Sequence, residues 1–310
     1  MTFDSMSERL DGFDQYYINE LKPVLDDLEI KRKRARTQFY KAIGGVIVVL
    51  IPLAVLIKNT DIMFFIAVPA MLILGYFYRK MAAVRTQAKQ TIMPEICRHF
   101  NMEYFPVPVS GFTTEYKELS LIPGYDEKTL EDGVTGEIDG VGFNLFEATL
   151  VTITRDRKGR TSRNVVFKGL LGKFEFHKNF KSTTVISNDL TSLGNFLTGW
   201  ANKGNRVRLE DPDFESEFEV YSTDQVEARY LLTPSFMERI LKLNQFPKID
   251  DIELAFYQGH LFMAIKRSDQ YLEGDGYNLN DPQHIMSNIK DIAFIFDIVK
   301  ELNLTLETKI

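Results

Sequence analysis

Two apolar runs lie almost end to end, AIGGVIVVLIPLAVLI over Ala42–Ile57 and IMFFIAVPAMLILGYFY over Ile62–Tyr78. Only Lys58-Asn59-Thr60-Asp61 separates them, and neither run holds a charge. A helix needs about 20 mostly apolar residues to cross the core of a bilayer. Each run falls slightly short. Phe39, Tyr40, Tyr76 and Tyr78 extend them into the interface, where aromatic rings are favoured. Lys41, Lys58 and Arg79 can reach the head groups along their aliphatic stems. The pattern predicts a membrane-spanning helical hairpin.

Charge divides on either side of this hairpin. The chain has 310 residues and a net charge of −6. Residues 1–90 carry 13 Lys/Arg against 9 Asp/Glu, whereas residues 91–310 carry 24 against 34. The acidic part is a poor match for nucleic acid, which rewards a basic face. The basic residues crowd beside the apolar runs, with 11 Lys/Arg against one acid between residues 31 and 89. Lys31-Arg32-Lys33-Arg34-Ala35-Arg36 precedes the first run, and Arg79, Lys80, Arg85 and Lys89 follow the second. Positive residues stay on the cytoplasmic side, so both termini are expected there, with a four-residue tip outside. Lys31, Arg32, Lys33, Arg34 and Arg36 are candidate contacts for anionic lipid, at roughly 1 kcal/mol each. The same cluster reads equally well as a topology signal alone. Cys97, the lone cysteine, excludes an internal disulfide framework and fits a reducing compartment. The polar N-terminus and the late first run argue for a retained anchor rather than a cleaved leader.

Residues 7–41 read as a helix entering the membrane. Tyr17, Leu21, Val24 and Leu28 recur at 4, 3, 4, a coiled-coil-like stripe, and Pro23 inside it predicts a kink or restart. The stripe either binds a partner or packs on the helix leaving the membrane, Arg79–Phe100. The spans contain no ionisable residue, which argues against a pore or pump built from this hairpin alone. Pro94 is expected to interrupt the exiting helix near Cys97 and His99. Pro106, Pro108, Gly111 and Pro123-Gly124 then suggest a turn-rich linker.

Strand signals begin at Val134. Val134–Ile138 and Val141–Ile153 flank Asp139-Gly140, a strong hairpin turn, and Arg155-Asp156-Arg157-Lys158-Gly159-Arg160 reads as a basic, flexible tip. Strands are expected at Asn164–Lys168, Gly172–His177, Ser182–Ser187 and Arg206–Leu209, with a short helix over Ser192–Trp200. Asp211-Pro212, Asp224 and Thr233-Pro234 mark helix starts. Ile252–Tyr257 and His260–Lys266 flank Gln258-Gly259 as a second hairpin, the first of them patterned as a half-buried strand. Ile285, Ile289, Ile292, Phe296 and Val299 give the last helix an apolar face. The fold class is therefore α+β: a transmembrane helical hairpin plus a cytoplasmic domain, its mostly antiparallel sheet covered by helices on one face. The expected divisions are a cytoplasmic helix (1–41), the hairpin (42–78), an exit helix and linker (79–133) and the α+β domain (134–310).

Phe167-Lys168-Gly169-Leu170-Leu171, the run Leu209–Ser222 and Glu227-Ala228-Arg229-Tyr230-Leu231-Leu232-Thr233-Pro234-Ser235-Phe236-Met237 together resemble the bacterial family known as domain of unknown function 3137. The resemblance spans roughly residues 110–300. It implies a bacterial inner-membrane protein and, because such proteins often accompany LemA-type membrane proteins, a partner of that type. It transfers no catalytic residue. Within it, Phe214, Phe218 and Tyr230 read as core, Thr233 as a cap, and Arg229 as a partner of Glu219 or Glu227. The functional alternative makes Arg229, Tyr221 and Tyr230 a pocket for an acidic group.

The sequence carries little recognisable chemistry. His99, His177, His260 and His284 are scattered, so no zinc-protease pair exists. No phosphate loop or Gly-x-Ser-x-Gly elbow occurs. Glu273-Gly274-Asp275-Gly276 is too short for an EF-hand. Cys97 and His99, two apart, point to different helix faces. No cofactor or metal is implied. The reading is a membrane-anchored scaffold or binding protein, with membrane lipid and a protein partner or a second copy as its contacts and no nucleic acid. The alternatives are a membrane-associated enzyme with a site near Arg229, or a homo-oligomer that shapes the membrane.

Overall fold

Helix α1 (Phe13–Tyr16), a π-helical turn (Tyr17–Leu21) and helix α2 (Lys22–Leu56) follow one another directly, and helix α3 (Thr60–His99) comes next. The computed structural model describes residues 13–56, 60–107, 112–188, 204–246, 249–267, 282–302 and 304. The chain forms two units, Met1–His99 with Glu273–Ile289 and Phe100–Leu272 with Lys290–Ile310.

In the first unit α2 and α3 run antiparallel. The Tyr16 hydroxyl donates to Glu95 Oε2 at 2.9 Å, Lys80 Nζ donates to Gln38 Oε1 at 3.0 Å, and the Phe39 and Tyr78 rings lie 6.2 Å apart. Leu21, Leu25 and Leu28 are buried on one helix, and Ile92, Met93 and Ile96 on the other. The N-terminal stripe thus packs on the chain's own exit helix. Its phase differs from the expected one: Leu25 is 0% exposed and Val24 is 41% exposed. A π turn carries more residues than an α turn. Placed just before Pro23, it re-phases the stripe and replaces the expected restart. Pro94 does not interrupt α3 either. Met93, Ile96 and Cys97 around it are all buried, and that packing carries the helix past one missing N–H. Thr60-Asp61, expected in the tip, already belongs to α3, while Lys58-Asn59 lies outside the described residues. Among the described residues, two helices are long and apolar enough to cross a membrane.

The second unit is built on a nine-stranded antiparallel sheet. Its strands are β1 (Met102–Phe105), β2 (Glu127–Ile138), β3 (Val141–Arg155), β4 (Thr161–Glu175), β5 (Thr184–Ser187), β6 (Asn205–Val207), β7 (Glu219–Ser222), β8 (Asp251–Tyr257) and β9 (His260–Lys266). Their order is β1-β2-β3-β4-β9-β8-β5-β7-β6. The stretch expected as linker therefore supplies β1, helix α4 (Thr113–Glu118) and half of β2. Both hairpin turns form as their sequences demand, with positive φ at Asp139, Gly140, Gln258 and Gly259. The strands expected on either side of Gly169 are one continuous β4.

Both faces of the central strands are covered, not one. Tyr116 of α4 meets Phe262 on one face at 5.4 Å. On the other, Phe256 contacts Phe176, Phe180 and Phe236 at 4.9, 5.8 and 5.7 Å. Glu253 and Ala255 are consequently buried, so β8 is a fully covered strand. Helices α5 (Pro212–Glu217), α6 (Gln225–Leu231) and α7 (Pro234–Asn244) begin at Asp211, Asp224 and Thr233, whose side chains accept from first-turn N–H groups. The final helix, α8 (Pro282–Glu301), buries Ile292, Ile295, Phe296 and Val299. The helix expected over Ser192–Trp200 lies outside the described residues.

Candidate functional site

Where β4 ends, Phe176 and Phe180 turn into the aromatic core, and the Phe176 N–H donates to the Gly259 carbonyl at 3.0 Å. Of the residues between them, His177 and Lys178 are half-buried at the rim of a cleft of about 630 Å³. Its far wall is the end of α6 and the first turns of α7. Thr233 caps α7 through its hydroxyl, which accepts from Phe236 N at 3.3 Å. This cap places Thr233, Ser235 and Phe236 along the cleft and sends Arg239 into it one turn on. Phe176, Phe236 and Leu302 make its apolar part.

The polar part is positive. Lys178 Nζ donates to the Tyr230 carbonyl at 2.9 Å and lies 4.7 Å from the centre of the Tyr230 ring. Arg239 Nη1 donates to the Glu301 carbonyl at 3.2 Å. Both acceptors are neutral, and neither cation forms an ion pair among the described residues. Among the described residues no carboxylate lines the cleft. Burial lowers the pKa of Lys178. Burial also lowers that of His177; a backbone hydrogen bond to Leu304 opposes the shift and the Lys178 charge adds to it. The His177 ring is therefore neutral near pH 7. Its Nδ1 is buried without a hydrogen-bond partner among the described residues. The first turn of α7 adds the positive end of a helix dipole. The arrangement can attract and orient an anion.

The structure brings only one of the three expected pocket residues to this cleft. Tyr230 lines it and is 54% exposed, not core. Phe214 and Phe218 are core as expected, their rings 5.0 Å apart. Arg229 pairs with neither Glu219 nor Glu227; its guanidinium donates to the Gln225 and Arg208 carbonyls at 3.1 and 3.2 Å. Neighbours on a helix project in different directions, which parts it from Tyr230. Tyr221 belongs to β7, in register with Val185 on the α4-covered face, and its hydroxyl donates to Glu219 Oε2 at 3.0 Å. His177, Lys178 and Arg239 were not singled out by sequence. The one signal near them is Thr233-Pro234, a helix start three residues past Tyr230.

Within the basic cluster, Arg32 is turned inward. Its Nε and Nη2 both donate to the buried Glu29 carboxylate at 2.7 Å, so it is not available to lipid. Lys31 pairs with Asp27 at 2.6 Å, Lys33 approaches Glu29 at 3.7 Å, and Arg34 and Arg36 are exposed. The β3–β4 tip is fixed rather than loose: Asp156 accepts from the backbone N–H of Lys158 and of Arg160 at 2.8 and 2.9 Å. Cys97 is buried, and His99 stacks on Tyr16 at 5.0 Å. Among the described residues no group of His, Cys, Asp or Glu could hold a metal ion.

The parts define a class of protein: a long apolar helical pair joined in sequence to an antiparallel sheet unit that carries a cation-lined cleft. Residues 165–304 match the family described as Protein of unknown function (DUF3137). That stretch contains every described residue lining the cleft. No curated protein matches. Among solved structures, the crystal structure of the mycobacterial trehalose monomycolate transport factor A, TtfA, is similar at 10% identity and a TM-score of 0.31, covering 70% of this chain and 93% of that one.

Proposed function

We propose that this chain is a membrane-anchored binding protein of the bacterial inner membrane. Two helices cross the bilayer, both termini and the sheet unit lie in the cytoplasm, and the cleft beside α7 takes a ligand or partner segment and keeps it at the membrane. The observation that carries this reading is the apolar surface of α2 and α3. Val48, Phe65 and Met71 are 71%, 78% and 77% exposed, amid a continuous stretch of similar residues. Exposed apolar surface on this scale needs lipid or protein cover. The flanking cations supply the orientation.

The test is made on membranes of cells producing the full chain. An alkaline carbonate wash should leave the protein in the pellet. In a Cys97→Ala background, a cysteine replacing Asn59 should react with an impermeant maleimide from the periplasmic side. A cysteine replacing Lys158, on the sheet unit, should react only after lysis. Release by carbonate, or the reverse labelling pattern, ends this reading.

A further inference from the structure

We infer that the cleft is a phosphate site: it takes the phosphate of an ester whose remaining part is apolar or aromatic. The inference rests on the reading above that this cleft is where the chain binds. Lys178 and Arg239 both line it, and each spends a hydrogen bond on a neutral carbonyl. Among the described residues no carboxylate compensates their charges in this half-buried place, which favours the arrival of an anion. An ammonium and a guanidinium have most of their donors left after one bond each. To these is added the Ser235 hydroxyl. The donors left on these three side chains exceed what a carboxylate can accept and suit a phosphate. The first turn of α7 contributes in the same direction. The space is several times larger than the anion, and Phe176, Phe236 and Leu302 line the rest of it. An apolar body attached to the phosphate fits that part. A lipid head group and a soluble phosphate ester share this chemistry.

The full chain in maltoside micelles, free of phospholipid, is titrated calorimetrically with inorganic phosphate, phenyl phosphate and dihexanoyl phosphatidic acid. Phenyl phosphate should bind at least tenfold more tightly than inorganic phosphate, because its ring occupies the apolar part. Tighter binding of the phosphatidic acid than of phenyl phosphate assigns a lipid source, and the opposite order a soluble ester. Lys178→Gln and Arg239→Gln should each weaken binding about tenfold or more. A further variant guards against mere loss of folding. Ser235→Asp puts a carboxylate in the first turn of α7, where it favours the helix and repels an anion. It should keep or raise the melting temperature while weakening phosphate binding at least tenfold. No binding of any of the three compounds, or unchanged binding in Ser235→Asp, overturns the inference. Protein that withstands the carbonate wash but binds no phosphate ends this inference alone. Protein that binds phosphate but washes off ends the anchoring reading alone.

Discussion

A Cβ on Gly169 would lie 2.9 Å from the Ile265 carbonyl carbon and 3.0 Å from the Lys266 Cα, and closer still to the Ile265 oxygen. Here β4 pairs with β9, Gly169 opposite Lys266, and only glycine lets the two backbones meet. Gly169→Ala should therefore destabilise the chain by about 3 kcal/mol, checked by urea unfolding. A glycine looks like a break in sequence, and here it is a point of contact within one continuous strand. His177 makes a prediction of another kind. Burial, the largest cause, holds its folded pKa below the ordinary value, so the unfolded chain takes up the proton first as pH falls. The neutral ring's contribution is complete above about pH 6.5 and is lost as pH drops from there through the folded value. The melting temperature should fall as pH drops below about 6.5, and His177→Gln should remove part of that fall.

Among the elements, those with local causes were legible. Asp211, Asp224 and Thr233 announce their helices because a cap needs only its own next few residues. The turns at Asp139-Gly140 and Gln258-Gly259 need only two residues able to take positive φ. What was not legible depends on partners distant in the chain. The covering of β8 by both Tyr116 and Phe236 layers is one such case, and β1 pairing across from β2 is another. The cleft is the same kind of feature: Lys178 and Arg239 carry no motif and are joined only by the turn from α6 into α7. The helical stripe offers a direct check. Leu25→Ala should cost about 3 kcal/mol, by the usual penalty for a buried leucine. Val24→Ala, the exposed neighbour, should stay within about 0.5 kcal/mol. Equal effects would mean that the stripe is not phased by the π turn.

For the molecule as a whole, the apolar surface of α2 and α3 sets the terms on which it is handled. Met71, 77% exposed, points away from the helix pair. Met71→Lys near the middle of its run should cost about 3 kcal/mol of insertion free energy. Carbonate-resistant protein should decrease accordingly, while phosphate binding in micelles stays unchanged. The sheet has a consequence of its own. Its outermost strands are stubs, 4 residues in β1 and 3 in β6. Such short margins present few free backbone groups to another chain. Confined to a plane and crowded at high local density, many copies of this unit could lie side by side without zipping edge to edge into fibres.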